Sequence, residues 1–206
     1  MELADELGYL YIDTGAMYRA VTFYFDFAEV SLDDTTFLEE ALDEMSITFV
    51  RNPSTGSMET YLNGTNVENE IRSMEVSRMV IRVSQSPEVR AEMVSLQRSF
   101  AEENDLVMDG RDIGTVVFPD ANLKIFMIAD EQIRTQRRFD ELKAKGVSLS
   151  LDEVLENIRE RDKEDTQRKQ SPLKASDDAI IIDNTNLNRQ QQFDQVMALI
   201  GERIFS

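Results

Sequence analysis

Four short apolar runs alternate with helical stretches along this chain, and that alternation leaves few folds open. The runs are Tyr9–Ile12, Leu106–Met108, Lys124–Ile128 and Ala179–Ile182. Short and mainly apolar runs are typical of strands buried on both faces, and strands that alternate with helices form parallel sheets. The sequence therefore predicts an α/β domain of three layers, with helices covering both faces of a parallel sheet.

The helical stretches are marked by apolar spacing near 3.6 residues and by capping residues. They are predicted at Glu2–Leu7, Ala16–Phe27, Asp33–Met45, Glu68–Val83, Pro87–Glu103, Glu131–Lys145, Leu151–Arg168 and Arg189–Ile204. The long stretch that ends at Arg168 is the most polar of them.

A different pattern follows the third predicted helix. Ile47–Val50 and Met58–Leu62 are typical of short strands joined by turn residues, and Asn63–Gly64 is a tight-turn signal before a third extended piece at Thr65–Val67. These pieces predict a small antiparallel sheet inserted into the α/β domain. The predicted division of the chain is a core domain of residues 1–45 and 87–206 and an insert of residues 46–86.

The composition excludes several kinds of chemistry. The sequence contains no Cys and no His, so a disulfide scaffold, a thiolate zinc site and any serine–histidine arrangement are impossible. Its 22 basic and 40 acidic residues give a net charge of −18, and a field of that sign repels a nucleic-acid backbone. We expect no nucleic-acid partner, and we look for anion binding where arginines cluster.

The chain carries neither a membrane-span signal nor a secretory signal. No run approaches the ~20 apolar residues that a spanning helix needs. The segment Met1–Leu7 lacks the basic end and the apolar stretch of a secretory signal. We expect a cytoplasmic monomer with no membrane partner.

The first arginine cluster follows the first predicted strand, where residues 13–19 read Asp-Thr-Gly-Ala-Met-Tyr-Arg. Ligands of parallel α/β proteins bind at the carboxyl ends of strands. A helix N-terminus offers N–H groups there, Thr14 offers a hydroxyl group, and Arg19 lies one turn further on. These groups suit a phosphate, although a helix cap with a surface arginine explains the segment equally well.

The second cluster follows the Leu106–Met108 strand, where residues 109–112 read Asp-Gly-Arg-Asp. Gly110 permits close approach of a ligand to the backbone, and Arg111 can bind a phosphate. Asp109 or Asp112 could orient a metal ion, accept a hydrogen bond from a ligand amine or hold an arginine in place. A solvated turn rarely needs all of these residue types, so a functional role is favoured.

The third cluster lies on the long polar helix. Arg161, Asp165 and Arg168 are spaced i, i+4 and i+7, which predicts that they share one helix face. A surface ladder of ion pairs, each worth about 0.3–0.5 kcal/mol, is the alternative. The polar and basic stretch of residues 166–174 that follows could close over phosphates.

Together, three motifs in this chain resemble the bacterial cytidylate kinases, which belong to the P-loop nucleoside monophosphate kinases. The motifs are residues 11–19, 109–121 and 161–168, and the similarity runs from the first residues to the last helix. The resemblance implies a P-loop NTPase-type parallel sheet, an insert that binds the nucleoside monophosphate, and a lid near residues 161–174. It also implies Mg²⁺-dependent transfer of the γ-phosphoryl group of ATP to CMP or dCMP.

The resemblance assigns roles to individual residues. The acceptor phosphate is held by Thr14, Arg19 and Arg111, the ribose side by Arg161 and Asp165, the transferring phosphoryl group by Arg168, and the base by Arg90 and Asp112. Arg111, Arg161 and Arg168 form the expected catalytic group. No metal ligand is assigned, with Asp109 the one candidate.

The chemistry of cytosine agrees with the assignment of the base-reading residues. Cytosine accepts hydrogen bonds at N3 and O2 and donates from its N4 amine, so Arg90 can donate to the ring and Asp112 can accept from the amine. Uracil presents N3–H and O4 instead and would leave both groups wrongly matched. Such a mismatch typically costs ~1–3 kcal/mol.

The chain departs from the family pattern in two places. Ile81 lies near the position where family members can carry a small hydroxyl residue facing the base. The motif Gly-x-x-x-x-Gly-Lys-Ser/Thr, which cradles the phosphates of ATP, does not occur in the 206 residues, and only the tail of the helix that follows it is recognisable at Leu3–Tyr9. We interpret Met1 as an internal methionine or as the boundary of a fragment, and we expect the parallel sheet to lack its first strand.

Two other functions stay open at this point. The chain could bind CMP without using ATP, and retained CMP affinity without turnover would indicate such a binding protein. It could also be another nucleoside monophosphate kinase, which competition by UMP and AMP against CMP would reveal.

Overall fold

A computed structural model describes residues 1–144 and 146–204 of the chain. The helices of the described residues are α1 (Glu2–Leu7), α2 (Thr14–Phe27), α3 (Thr35–Asp43), α4 (Met74–Val83), α5 (Pro87–Ser99), α6 (Glu131–Ala144), α7 (Leu151–Gln167) and α8 (Arg189–Arg203). The strands are β1 (Leu10–Asp13), β2 (Ile47–Arg51), β3 (Met58–Leu62), β4 (Thr65–Asn66), β5 (Leu106–Asp109), β6 (Ile125–Ile128) and β7 (Ile180–Asp183). None of these helices is both long enough and apolar enough to cross a bilayer.

The α/β class predicted from the sequence is confirmed. The chain divides into two compact units, Met1–Ile113 and Gly114–Ser206. In the first unit β1 pairs in parallel with β5, and in the second β6 pairs in parallel with β7. The division into a core domain and an insert of residues 46–86 stays a prediction.

The antiparallel sheet predicted after the third helix is also confirmed. Strand β3 pairs with β2 on one side and with β4 on the other, with Ile47 opposite Leu62. Asn63 and Gly64 both have positive φ angles, 48° and 76°, which the tight turn between β3 and β4 requires. The chain then makes a single 3₁₀ turn, Glu70–Arg72, before α4 begins.

Several predicted helices have different boundaries in the structure, and the largest differences are at the start of α4 and at the end of α5, which was predicted to reach Glu103 and ends at Ser99. The helix predicted from Glu68 begins instead at Met74, because the Ser73 side chain caps it by accepting a hydrogen bond from the Val76 N–H. The helix predicted to reach Lys145 is described to Ala144, and Lys145 lies outside the described residues.

The core of the first unit fixes helix α2 behind the carboxyl ends of β1 and β5. Met17, Ala20 and Val21 of α2 are fully buried with Ile12 of β1 in one hydrophobic cluster. Strand β1 ends at Asp13, and the Asp13 carboxylate caps α2 by accepting from the Ala16 N–H at 2.9 Å. A rigid strand–cap–helix unit therefore presents the residues that follow β1.

Candidate functional site

Two aspartates mark the ends of the parallel strands in the first unit. Asp13 of β1 lies opposite Asp109 of β5 in the ladder, and the Tyr11 hydroxyl donates to Oδ2 of Asp109 at 2.7 Å. Desolvation of the Asp109 carboxyl group and, second, the charge of Asp13 raise the pKa of Asp109 above its ordinary value. Desolvation, followed by the charge of Asp109, likewise raises the pKa of Tyr11. The two carboxyl groups thus repel one another at the edge where a ligand is expected.

The Asp13 carboxylate forms ion pairs with two guanidinium groups. Its Oδ2 atom lies 3.3 Å from Nη2 of Arg19 and 3.6 Å from Nη2 of Arg72. Arg72 is also paired with Glu68 at 2.5 Å. Partial burial lowers the pKa of Arg72, but the hydrogen bond and charge of Glu68 outweigh it and the net shift is upward. Two permanent positive charges are therefore held beside the end of β1.

Arg72 is a candidate binding residue that the sequence did not reveal. It is a single arginine in a polar segment, at the last position of the 3₁₀ turn that follows the antiparallel sheet. Only the path of the chain through that sheet brings it to Asp13. The Glu-Ile-Arg tripeptide at residues 70–72 offered no spacing signal that would have identified it.

Thr14 is the first residue of α2, and its hydroxyl group already has a partner. The side chain is buried, and its Oγ1 atom donates to the backbone carbonyl of Asp109 at 2.8 Å. This hydrogen bond ties the start of α2 to the end of β5. In this arrangement the hydroxyl hydrogen is directed to the backbone, so Thr14 can offer a ligand an oxygen lone pair.

Close packing against Thr14 explains the glycine of the Asp-Gly-Arg-Asp motif. A Cβ atom at Gly110 would lie 2.3 Å from Oγ1 of Thr14 and 2.9 Å from Cδ1 of Ile113. Both contacts are far inside van der Waals distance. The motif therefore needs glycine at this position because the Thr14 hydroxyl group and the Ile113 side chain occupy the space that a Cβ atom would fill.

Replacing Gly110 by alanine is expected to lower the free energy of unfolding by about 1–3 kcal/mol, because the added methyl group overpacks the junction. Urea unfolding followed by circular dichroism measures this. Gly201→Ala is the matched control, since a Cβ atom at Gly201 meets nothing within 4 Å and alanine suits a helix better than glycine. Equal stability of the Gly110 variant and the wild type would contradict the proposed close approach.

Arg90 and Asp112, predicted to act together, form a buried ion pair. Arg90 is 5% exposed and Asp112 is 6% exposed, and Nη2 of Arg90 donates to Oδ2 of Asp112. Nη1 of Arg90 also donates to the Ser84 carbonyl at 3.3 Å. A guanidinium group has five N–H donors, and these contacts use two of them. Ile81, one turn before Ser84 on the preceding helix, is partly buried.

Arg111 lies in the chain between Asp109 at the end of β5 and the buried Asp112. Its side chain is exposed. The charge of Arg111 is near enough to Asp109 to act on the pKa of that carboxyl group, opposing the larger upward effect of desolvation. Six of the predicted residues belong to the first unit: Thr14, Arg19, Arg90, Asp109, Arg111 and Asp112.

The other three predicted residues belong to the second unit. Nε of Arg161 lies 3.9 Å from Oδ2 of Asp165, and Nη1 of Arg168 lies 3.7 Å from Oδ1 of the same carboxylate. The prediction that all three lie on one helix is wrong for Arg168. Helix α7 ends at Gln167, and Arg168 has extended backbone angles, φ −61° and ψ 142°.

The segment after α7 folds back and holds the Arg168 side chain. Nε of Arg168 donates to the Ser171 carbonyl at 2.6 Å, and the Leu173 N–H donates to the Asp165 carbonyl at 2.7 Å. Ser171 takes a positive φ of 49°, which lets the chain reverse. The Arg168 side chain is 8% exposed, and its guanidinium group contacts both the Asp165 carboxylate and the Ser171 carbonyl.

Fold and site together define a class of protein. A parallel α/β fold that places arginine and aspartate side chains at its strand ends, with a helix N-terminus beside them, is a phosphate-binding α/β protein. A buried Arg90–Asp112 pair in the same unit adds guanidinium donors and a carboxylate acceptor.

Comparison with known proteins identifies the family. The family profile described as cytidylate kinase matches residues 1–202. The cytidylate kinase of Bacteroides thetaiotaomicron is 52% identical over 204 residues, covering 98% of this chain and 89% of that protein. The cytidylate kinase of Bacteroides fragilis is 50% identical over 200 residues, covering 96% of this chain and 87% of that protein. The cytidylate kinase of Flavobacterium johnsoniae is 48% identical over 204 residues, covering 98% of this chain and 89% of that protein. The chain belongs to the cytidylate kinase family.

Proposed function

We propose that this protein is a transferase that moves the γ-phosphoryl group of ATP to CMP or dCMP and so makes CDP or dCDP. The observation that carries the proposal is the pairing of two features within one unit. Arg19 and Arg72 converge on the end of β1, and the buried Arg90–Asp112 pair lies in the same unit. Membership of the cytidylate kinase family agrees with both features.

The acceptor phosphate binds where Asp13 now holds the two guanidinium groups. A phosphate dianion competes with the single negative charge of Asp13 for Arg19 and Arg72, and its oxygens match the two-pronged geometry of arginine. Arg111 is exposed and adds a third positive charge. The N–H groups at the start of α2 point to the same edge. Arg72 thus joins the predicted phosphate-binding residues Arg19 and Arg111, and Thr14 joins them by turning its hydroxyl hydrogen from the Asp109 carbonyl to a phosphate oxygen.

The base binds against Arg90 and Asp112. N–H groups of Arg90 that Asp112 and Ser84 do not use can donate to N3 and O2 of cytosine, and the Asp112 carboxylate can accept from the N4 amine. Because both side chains are buried, an unmatched partner is costly, and this favours cytosine over uracil.

Arg161, Asp165 and Arg168 act on the ribose and on the transferring group. Phosphoryl transfer needs positioning and neutralisation of the charge on the equatorial oxygens, and arginine supplies both. The fold-back of residues 168–173 directs Arg168, which suits it to that role. We propose residues 161–174 as a lid and residues 46–86 as the insert that binds the nucleoside monophosphate.

The acidic edge fits a Mg²⁺ ion that arrives with the nucleotide. Mg²⁺ is usually held by one or two carboxylates together with phosphate oxygens and water. Asp13 and Asp109 are neighbours across the ladder and repel one another, which a divalent cation would relieve. Among the described residues no group of three or more His, Cys, Asp or Glu side chains could hold a metal. Asp13 or Asp109 would therefore hold the ion together with phosphate oxygens of the nucleotide and water. When bound, the ion neutralises charge on the phosphate oxygens.

We propose a cytoplasmic monomer that acts on small nucleotides. ATP and CMP are metabolites of that compartment, and the net charge of −18 opposes binding to a nucleic-acid backbone.

The experiment that tests the function compares CMP, dCMP, UMP and AMP in one assay. ADP release with Mg²⁺ and ATP is expected only with CMP or dCMP, and calorimetric titration is expected to give tighter binding of CMP than of UMP. Equal turnover with UMP or AMP would contradict the assignment. Selective CMP binding by the folded chain without ADP release would indicate a CMP-binding protein instead.

A further inference from the structure

Helix α2 contributes an aromatic ring to the surroundings of the buried ion pair. The guanidinium carbon of Arg90 lies 5.7 Å from the centre of the Tyr18 ring. That distance is within the range of a cation–π interaction, and such contacts are strongest where water is excluded. Arg90 meets this condition because only 5% of it is exposed.

The three contacts of Arg90 differ in kind. Asp112 and Ser84 accept hydrogen bonds from its two terminal nitrogens, so they lie at the edge of the guanidinium plane. Tyr18 instead offers a ring face, which limits how far that plane can tilt. If Arg90 had only its hydrogen bonds to Asp112 and Ser84, its guanidinium plane could rotate about the line that joins those two hydrogen bonds.

We propose that Tyr18 is a specificity-positioning residue, which sets the plane of the Arg90 guanidinium group so that its remaining N–H donors meet cytosine and not uracil. The inference rests on the proposed function and adds to it a residue that does not itself read the base. Successive residues of a helix point about 100° apart. Tyr18 can therefore contact Arg90 while Arg19, the next residue, contacts Asp13. Helix α2 thus positions Tyr18 against Arg90 on the proposed base side and Arg19 against Asp13 on the proposed phosphate side.

The test is the ratio of the dissociation constants for CMP and UMP, measured by calorimetric titration of the full chain without ATP. Tyr18→Leu and Tyr18→Met remove the ring face but keep an apolar side chain of similar length. Each is expected to reduce the preference for CMP over UMP by about tenfold, which corresponds to about 1.4 kcal/mol. Tyr18→Phe keeps the face and is expected to restore the preference to within about twofold of the wild type.

Tyr24→Leu is the matched control, because Tyr24 is a partly buried tyrosine of the same helix that packs against the same core. It is expected to leave the ratio unchanged, even if the melting temperature falls. A ratio of CMP to UMP dissociation constants that is unchanged in Tyr18→Met, whether or not both affinities fall, would overturn the role of Tyr18 and leave the kinase assignment intact. A wild-type chain that binds CMP and UMP equally would overturn both.

Discussion

Replacing Arg168 by alanine is expected to reduce kcat for CMP phosphorylation by about 10³-fold, since an arginine at the transferring phosphoryl group typically contributes 10³ or more. CMP affinity is expected to change by less than about threefold. The reason is that charge on the transferring group increases only in the transition state, so its neutralisation lowers the barrier more than it stabilises bound CMP. Steady-state ADP release gives kcat, and calorimetric titration gives the CMP affinity.

Two controls separate this role from a structural one. Lys143→Ala removes an exposed positive charge of α6, outside the proposed lid, and is expected to leave kcat within about twofold. Arg168→Lys keeps the charge but loses the planar donor group that Asp165 and Ser171 orient, so an intermediate kcat is expected. Proportional loss of kcat and CMP affinity in Arg168→Ala would show that Arg168 acts in binding rather than on the transferring group.

Much of the fold could be predicted because local signals agree with tertiary packing here. Asp13 and Ser150 cap helices by side-chain hydrogen bonds, and Gly8 ends α1 with a φ of 70°. Each of these residue types is strongly preferred at its position. Because apolar strands alternate with amphipathic helices along the chain, parallel pairing of those strands is the expected arrangement.

Several features of the site could not be predicted, since they depend on which segments meet in space. Arg72 reaches Asp13 only through the antiparallel sheet, and Tyr18 meets Arg90 only when α2 packs near α5. The Thr14 hydroxyl donates to the Asp109 backbone, although its position at a helix start predicted a ligand contact. Periodicity assigns residues to faces but does not choose among the partners available on a face.

Helix α7 shows the same limit. An i, i+7 spacing predicts a shared helix face only if the helix includes both residues. Helix α7 ends at Gln167, and the chain then folds back so that the Leu173 N–H donates to the Asp165 carbonyl and Nε of Arg168, outside the helix, donates to the Ser171 carbonyl. A glycine just after the helix, or a proline one or two residues beyond its cap, normally signals such an end. Here the positive φ belongs to Ser171, and Pro172 lies four residues beyond the cap residue Arg168.

Asp112→Asn is expected to affect stability and specificity together. It leaves the Arg90 cation buried without its counter-charge, and breaking a buried ion pair in this way typically costs about 3–5 kcal/mol. It also replaces the oxygen that accepts from the N4 amine with an amide that can donate. The preference for CMP over UMP is therefore expected to fall by about 10-fold to 100-fold, the equivalent of a mismatch of about 1–3 kcal/mol. Urea unfolding and the ratio of kcat/KM for the two substrates measure the two effects.

The double variant Arg90→Met/Asp112→Leu distinguishes the structural role of the pair from its role in recognition. Apolar residues of similar size remove the cost of burying two charges, and such replacements are often neutral or stabilising. The double variant is therefore expected to recover most of the stability lost in Asp112→Asn. It cannot recover the preference for CMP, because neither side chain can then hydrogen-bond to the base. Wild-type discrimination between CMP and UMP in the double variant would mean that other residues read the base.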